Sequence, residues 1–139
     1  MKIDTMGIGT PISKKDLKEL TKETKETIAT NAVTEDGYLV NLDMIGNRVG
    51  ALTFGPKNVL VINGRNKIVS DIDAAMDRIK DFAAPANAMR LDMKTPCFKT
   101  GICSECKSKA RICNTWTITQ KSFPEKRTKI LLINEDLGL

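Results

Sequence analysis

The run Asn58-Val59-Leu60-Val61-Ile62-Asn63 does most to limit the folds open to this chain. Its aliphatic residues are continuous rather than alternating, so a strand made from it must be covered on both faces, as in a parallel sheet. The turn residues 64–67 follow, and then Ser70-Asp71-Ile72-Asp73-Ala74-Ala75-Met76-Asp77-Arg78-Ile79-Lys80-Asp81-Phe82-Ala83-Ala84 reads as an amphipathic helix. Ser70 is its expected N-cap, and Ile72, Ala75, Met76, Ile79 and Ala83 form its apolar stripe. Trp116 and Ile118 mark a further strand, and Lys129 to Ile133 a last aliphatic one. Strand, helix, strand order makes this an α/β protein. A chain of 139 residues is normally one domain, and with aromatics at 4% its core rests on aliphatic side chains.

All four cysteines fall between Pro96 and Asn114, spaced C-x5-C-x2-C-x6-C, as Cys97, Cys103, Cys106 and Cys113. Four converging thiolates can hold a tetrahedral ion or an iron–sulfur cluster. The spacing fits neither paired zinc knuckles nor the tight bacterial ferredoxin run. The chain has no histidine, which excludes Cys/His zinc sites, His-ligated clusters and histidine-based hydrolytic triads within it. An iron–sulfur cluster ranks first, structural zinc second, and free thiols or a disulfide third. No apolar run is long enough to span a bilayer and MKIDTMGIGTPISKK holds no apolar run resembling a signal peptide, so a cytoplasmic location is expected, where clustered thiols serve metals more than disulfides.

Charge is uneven. Residues 94–129 carry nine basic against two acidic residues, which suits either charge balance at a thiolate site or attraction of an anionic partner, with a solvated face as the plain alternative. Exposed aromatics are too few to favour nucleic acid.

Upstream, residues 12–28 are expected to form a helix begun at Ser13, with only Leu17, Leu20 and Ile28 as its apolar stripe. This makes 1–29 a weakly anchored helical arm, and 30–139 the α/β domain that includes the cysteine loop 96–114. Asn31 to Thr34 and Tyr38 to Leu42 flank Glu35-Asp36-Gly37 as a hairpin. A short helix from Asn47 ends before Gly55-Pro56. Asn31, Thr34, Asn41, Asp43, Asn47 and Arg48 form a candidate small-anion site, since amides and a bidentate guanidinium suit carboxylate or phosphate; turn and cap bonding competes as their role. Pro85 opens a second short helix, and Glu135 and Asp136 follow a strand end, where α/β sheets place functional loops. No residue is assigned as catalytic, and whether the chain is an enzyme stays open.

NAVTEDGYLVNLD, GNRVGALTFGPK, NGRNKIVSDIDAAMDRIK, AAPANAMRL, TPCFKTGICSECKSKARICN and ILLINEDLGL, in that order, resemble the LUD (lactate-utilization) domain family from about Thr30 onward. The resemblance implies a sheet with flanking helices like that of ribose-5-phosphate isomerase, glucosamine-phosphate deaminase and the CoA transferases. It further implies a link to oxidation of lactate or a related organic acid, with redox partner subunits. Family members usually have more chain upstream of the hairpin, so the sheet is expected to be incomplete on its N-terminal side, with an edge left for a partner or a second copy. The alternative function is a non-catalytic, zinc-stabilised module that docks an acidic partner or RNA through its basic C-terminal third.

Overall fold

The computed structural model describes residues 13–23 and 26–139. Among these residues twelve elements follow in order: helix α1 (Lys14–Glu23), strands β1 (Glu26–Ile28), β2 (Ala32–Thr34) and β3 (Leu39–Asp43), helix α2 (Asn47–Thr53), strands β4 (Val59–Gly64) and β5 (Ile68–Val69), helices α3 (Ile72–Arg78), α4 (Ala84–Arg90) and α5 (Pro96–Thr100), and strands β6 (Thr115–Thr119) and β7 (Thr128–Ile133). A single 3-10 turn, Arg65–Lys67, leaves β4, and a π-helical turn, Ile79–Ala83, joins α3 to α4.

Two sheets result, so the chain is α/β with flanking helices. The first is parallel, in the order β1-β4-β7, and the second is mixed, in the order β5-β2-β3-β6. Central β4 has Val59, Leu60 and Val61 fully buried, as its continuous hydrophobicity requires. The hairpin forms as expected: β2 and β3 are antiparallel, Gly37 takes φ 88°, and its amide donates to the Thr34 carbonyl at 2.8 Å. Alternation then sorts the hairpin's side chains. Ala32, Val40 and Leu42 meet Ala75, Ile79 and Ala84 of the α3–α4 layer. Val33 and Leu39 point the other way, to Leu52 of α2 and Val59 and Val61 of β4. The second sheet is thus the middle layer.

Two local differences from the sequence reading have clear causes. Ser13 does begin α1, its hydroxyl accepting from the Asp16 amide at 3.2 Å. The helix nevertheless stops at Glu23, and Glu26–Ile28, expected to be helical, is instead an edge strand in register with Val59 to Val61. Thr27 and Ile28 are β-branched, and as a strand this segment packs Ile28 against the inter-sheet core. The side chains of Leu17 and Leu20, named for the helix stripe, lie outside the described residues. The N-cap of α3 is Asp71, not Ser70: its carboxylate accepts from the Ala74 amide at 2.8 Å, while the Ser70 hydroxyl donates to it at 3.0 Å. These two donors hold the Asp71 carboxyl below its usual range.

Arg127 closes the other end of the core. It is 9% exposed, and its guanidinium donates to the carbonyls of Leu52 at 2.7 Å, Ala51 at 2.6 Å and Pro56 at 3.0 Å. The first two are acceptors left over at the C-terminus of α2. One side chain thereby pins that helix to the start of β7.

Candidate functional site

Cys97 lies in α5, which ends at Gly101 in the left-handed conformation. Cys103, Cys106 and Cys113 follow in a segment without regular structure that runs to β6. With no ladder of its own, the segment is held by side chains. Arg111 donates to the Cys106 carbonyl at 2.6 Å and the Cys113 carbonyl at 2.7 Å. The Asn114 amide donates to the Asp43 carbonyl at 3.0 Å and its side chain to the Met44 carbonyl at 3.1 Å, which anchors the loop to the end of β3. Lys80 and Glu105 form an ion pair across to the π-helical turn. That pairing raises the Lys80 pKa and lowers that of Glu105.

All four thiols line one cleft, with Ala84, Pro85 and Ile112 as its apolar wall and Thr95 and Arg111 as polar neighbours. None is in a disulfide. Thr95 Oγ1 lies 3.2 Å from Cys97 Sγ. Cys113 also packs on the core of the second sheet, and burial, reinforced by the neighbouring Cys103, pushes its thiol up to about 11. Among the described residues, no three Cys, Asp or Glu side chains stand as a ready-made metal cage. The four thiols share a cleft without already converging on one point.

The six residues named for an anion site divide. Asn31, Asn41, Asp43 and Arg48 come together where β3 ends beside the start of β2. Arg48 donates to Asp43 Oδ1 at 3.0 Å from Nη2 and 3.2 Å from Nε, and to Asn31 Oδ1 at 3.2 Å and the Leu42 carbonyl at 3.1 Å. Asn31 Oδ1 also accepts from the Leu42 amide at 2.9 Å. Thr34 lies at the hairpin turn, its hydroxyl accepting from the Tyr38 amide at 2.9 Å, and Asn47 is exposed at the start of α2. Arg48 is therefore largely engaged by the protein itself.

Three nearby residues escaped sequence reasoning: Asn63, Lys67 and Arg78. Together with Asn41 they surround the two peptide units at Thr30 and Asn31, where the chain passes from the first sheet to the second. Asn63 Oδ1 accepts from the Thr30 amide at 3.1 Å, and Asn41 Oδ1 from the Asn31 amide at 3.2 Å. Lys67 Nζ donates to the Thr30 carbonyl at 3.2 Å, and Arg78 Nη1 to the Asn31 carbonyl at 2.8 Å. The only local signal was an Asn closing an aliphatic strand and an Arg on the amphipathic helix. Glu135 and Asp136 lie beside the same region: the Arg65 amide donates to the Glu135 carbonyl at 3.0 Å, and its side chain pairs with Asp136 at 2.9 Å.

The family model of the LUD domain matches residues 27–133, which is most of the chain and takes in both the crossover and the cysteine loop. The chain belongs to the LUD-domain family. No curated protein and no solved structure matched it. Membership ties this LUD protein at family level to lactate utilization. Among the described residues, no helix is long and apolar enough to cross a membrane.

Proposed function

We propose that this LUD-family chain serves, in the cytoplasm, the oxidation of lactate or a related small organic acid, with an iron–sulfur centre held by Cys97, Cys103, Cys106 and Cys113. The observation that carries this reading is the single cleft that all four thiols line. The donor set fits the group: four unpaired sulfurs, an apolar wall that limits water, and nearby cations, Lys80 and Arg111, that offset thiolate charge. When bound, such a centre supplies one-electron redox capacity. The thiols would close on it by side-chain rotation, while Arg111 keeps the backbone of Cys106 and Cys113 in place and the Thr95 hydroxyl donates to the Cys97 thiolate. Oxidation of a hydroxy acid to a keto acid removes two electrons and two protons, and redox partner subunits accept the electrons. The acid is held at the candidate anion site near Asn31 and Asn41. We read the layered sheets as a variant of the ribose-5-phosphate isomerase and CoA-transferase arrangement.

The test is metal and acid-labile sulfide content, with the visible spectrum, on protein purified without oxygen. Iron with matching sulfide, lost in Cys103→Ser, is the expected result. Zinc without sulfide would overturn the iron–sulfur assignment and leave the loop as a structural clamp.

A further inference from the structure

The group around Thr30 and Asn31 has more positive charge and more hydrogen-bond donors than the protein itself answers. Lys67 is 5% exposed, and its one described acceptor is a neutral carbonyl. Arg78 is half-buried and bonds two neutral carbonyls, those of Asn31 and Asn66, with the Phe82 ring 5.6 Å from its Cζ. Among the described residues neither cation has a carboxylate partner, and Asp43, the nearest acid in the network, is paired with Arg48. A buried cation normally has a counter-charge or loses its proton.

The amides add a second, independent sign. Asn41 and Asn63 are 0% and 1% exposed, and the Nδ2 of each is buried without a partner. Each has its Oδ1 fixed by one of two consecutive amides, those of Asn31 and Thr30, so each Nδ2 is held in orientation. Strand alternation places Asn41 on the same face of β3 as Leu39, and Asn63 on the same face of β4 as Val59 and Val61. Both therefore project into the layer between the sheets, one from each. Buried donors left without acceptors cost about 1–3 kcal/mol each, and a native protein keeps such groups where a ligand or ordered water completes them.

We infer that Lys67, Arg78 and the side-chain amides of Asn41 and Asn63 form the binding site of a small oxyanion, the carboxylate of a short organic acid, at the crossover between the two sheets. A carboxylate offers two acceptor oxygens to two amides and two cations, which is the complement this donor set lacks. Burial and the charges of Arg78 and Arg48 hold the Lys67 pKa below the usual lysine range. The C-terminal segment bounds the site. Asn66 Nδ2 donates to the Gly138 carbonyl at 3.1 Å, and a Cβ on Gly138 would stand 3.2 Å from Lys67 Nζ, so a bulkier residue there would crowd the lysine. The choice of a carboxylate over other oxyanions rests on the reading of the family's substrate above. The donor cluster itself does not depend on the metal.

The experiment is calorimetric titration of the full chain with sodium L-lactate, pyruvate and inorganic phosphate, each against sodium chloride at equal ionic strength. The native protein, Asn63→Asp, Lys67→Met and Cys103→Ser are compared. Asn63→Asp keeps the acceptor for the Thr30 amide while setting a negative charge in the anion's place, so it should fold and bind at least tenfold more weakly. Saturable lactate or pyruvate binding that both cluster variants lose and Cys103→Ser keeps is the expected result. Phosphate binding alone would overturn the carboxylate assignment. No saturable response beyond chloride, or unchanged affinity in Asn63→Asp, would overturn the site, while the iron and sulfide assay would stand or fall separately.

Discussion

Replacing Arg127 with methionine tests whether one guanidinium holds α2 to the first sheet. The stem is kept, so packing along the side chain changes little, and what is lost is three hydrogen bonds to Leu52, Ala51 and Pro56. Hydrogen bonds from a charged donor contribute about 1.5 kcal/mol each at the low end of their range, so three give about 4.5 kcal/mol. Water can reach the Pro56 end and recover part of this, which sets the expected loss at about 3–4 kcal/mol. At roughly 3 °C per kcal/mol for a domain of this size, Tm should fall by about 10 °C. Arg127→Lys keeps the charge but not the fork and should lose about half as much. The assay is urea unfolding at neutral pH on samples matched for metal content, with the m-value as a check on two-state behaviour. A loss below about 1 kcal/mol in Arg127→Met would refute the argument, because it would mean that the helix end is satisfied without the guanidinium.

Two further outcomes can be checked with the same melts. At Gly64 an added Cβ would lie 2.4 Å from the Leu137 amide nitrogen and 2.5 Å from the Glu135 carbonyl oxygen, whereas at Gly50 it meets nothing within 4 Å. Gly64→Ala should therefore destabilise by about 1–3 kcal/mol as the C-terminal segment is forced away, and Gly50→Ala, inside α2, should stabilise by about 0.5–1 kcal/mol; equal effects would contradict the close approach. The Asp71 carboxyl titrates lower in the folded state than in the unfolded chain, so its stabilising effect is complete above the unfolded value. That effect is lost as pH falls from there through the depressed folded value. Asp71→Asn, which can still cap, should flatten this part of the acid stability profile, and an unchanged slope would remove Asp71 from its causes.

Local sequence carried the elements whose shape is decided locally. The unbroken Val59–Ile62 run, the Glu35-Asp36-Gly37 reversal and the stripe of α3 each follow from chemistry within a few residues. Strand β1 was invisible because three residues beside a lysine- and glutamate-rich stretch have no periodicity of their own, and only pairing with β4 makes them a strand. Partner choice was equally hidden. β6 and β7 are successive strands, yet one joins β3 and the other β4. The cysteines could be grouped from spacing because they share a single stretch. The donors around Thr30 come from β3, β4, the 65–67 turn and α3, four elements far apart in the chain, and no motif joins them. Arg48 was singled out for its chemistry, but only the fold shows how much of that chemistry Asp43 and Asn31 already use.

The order of strands in the first sheet also decides when the protein can be finished on the ribosome. β4 is flanked by a strand from near one end of the chain and a strand from near the other. One edge of β4 stays unpaired until Thr128 to Ile133 have been synthesised. The hairpin and the α3–α4 layer can assemble earlier from neighbouring residues, and Cys97 to Cys113 emerge before β7. The cysteine loop thus emerges while the first sheet still lacks a strand, and β7 joins residues so distant in sequence that its pairing with β4 follows the local assembly of the hairpin and helices.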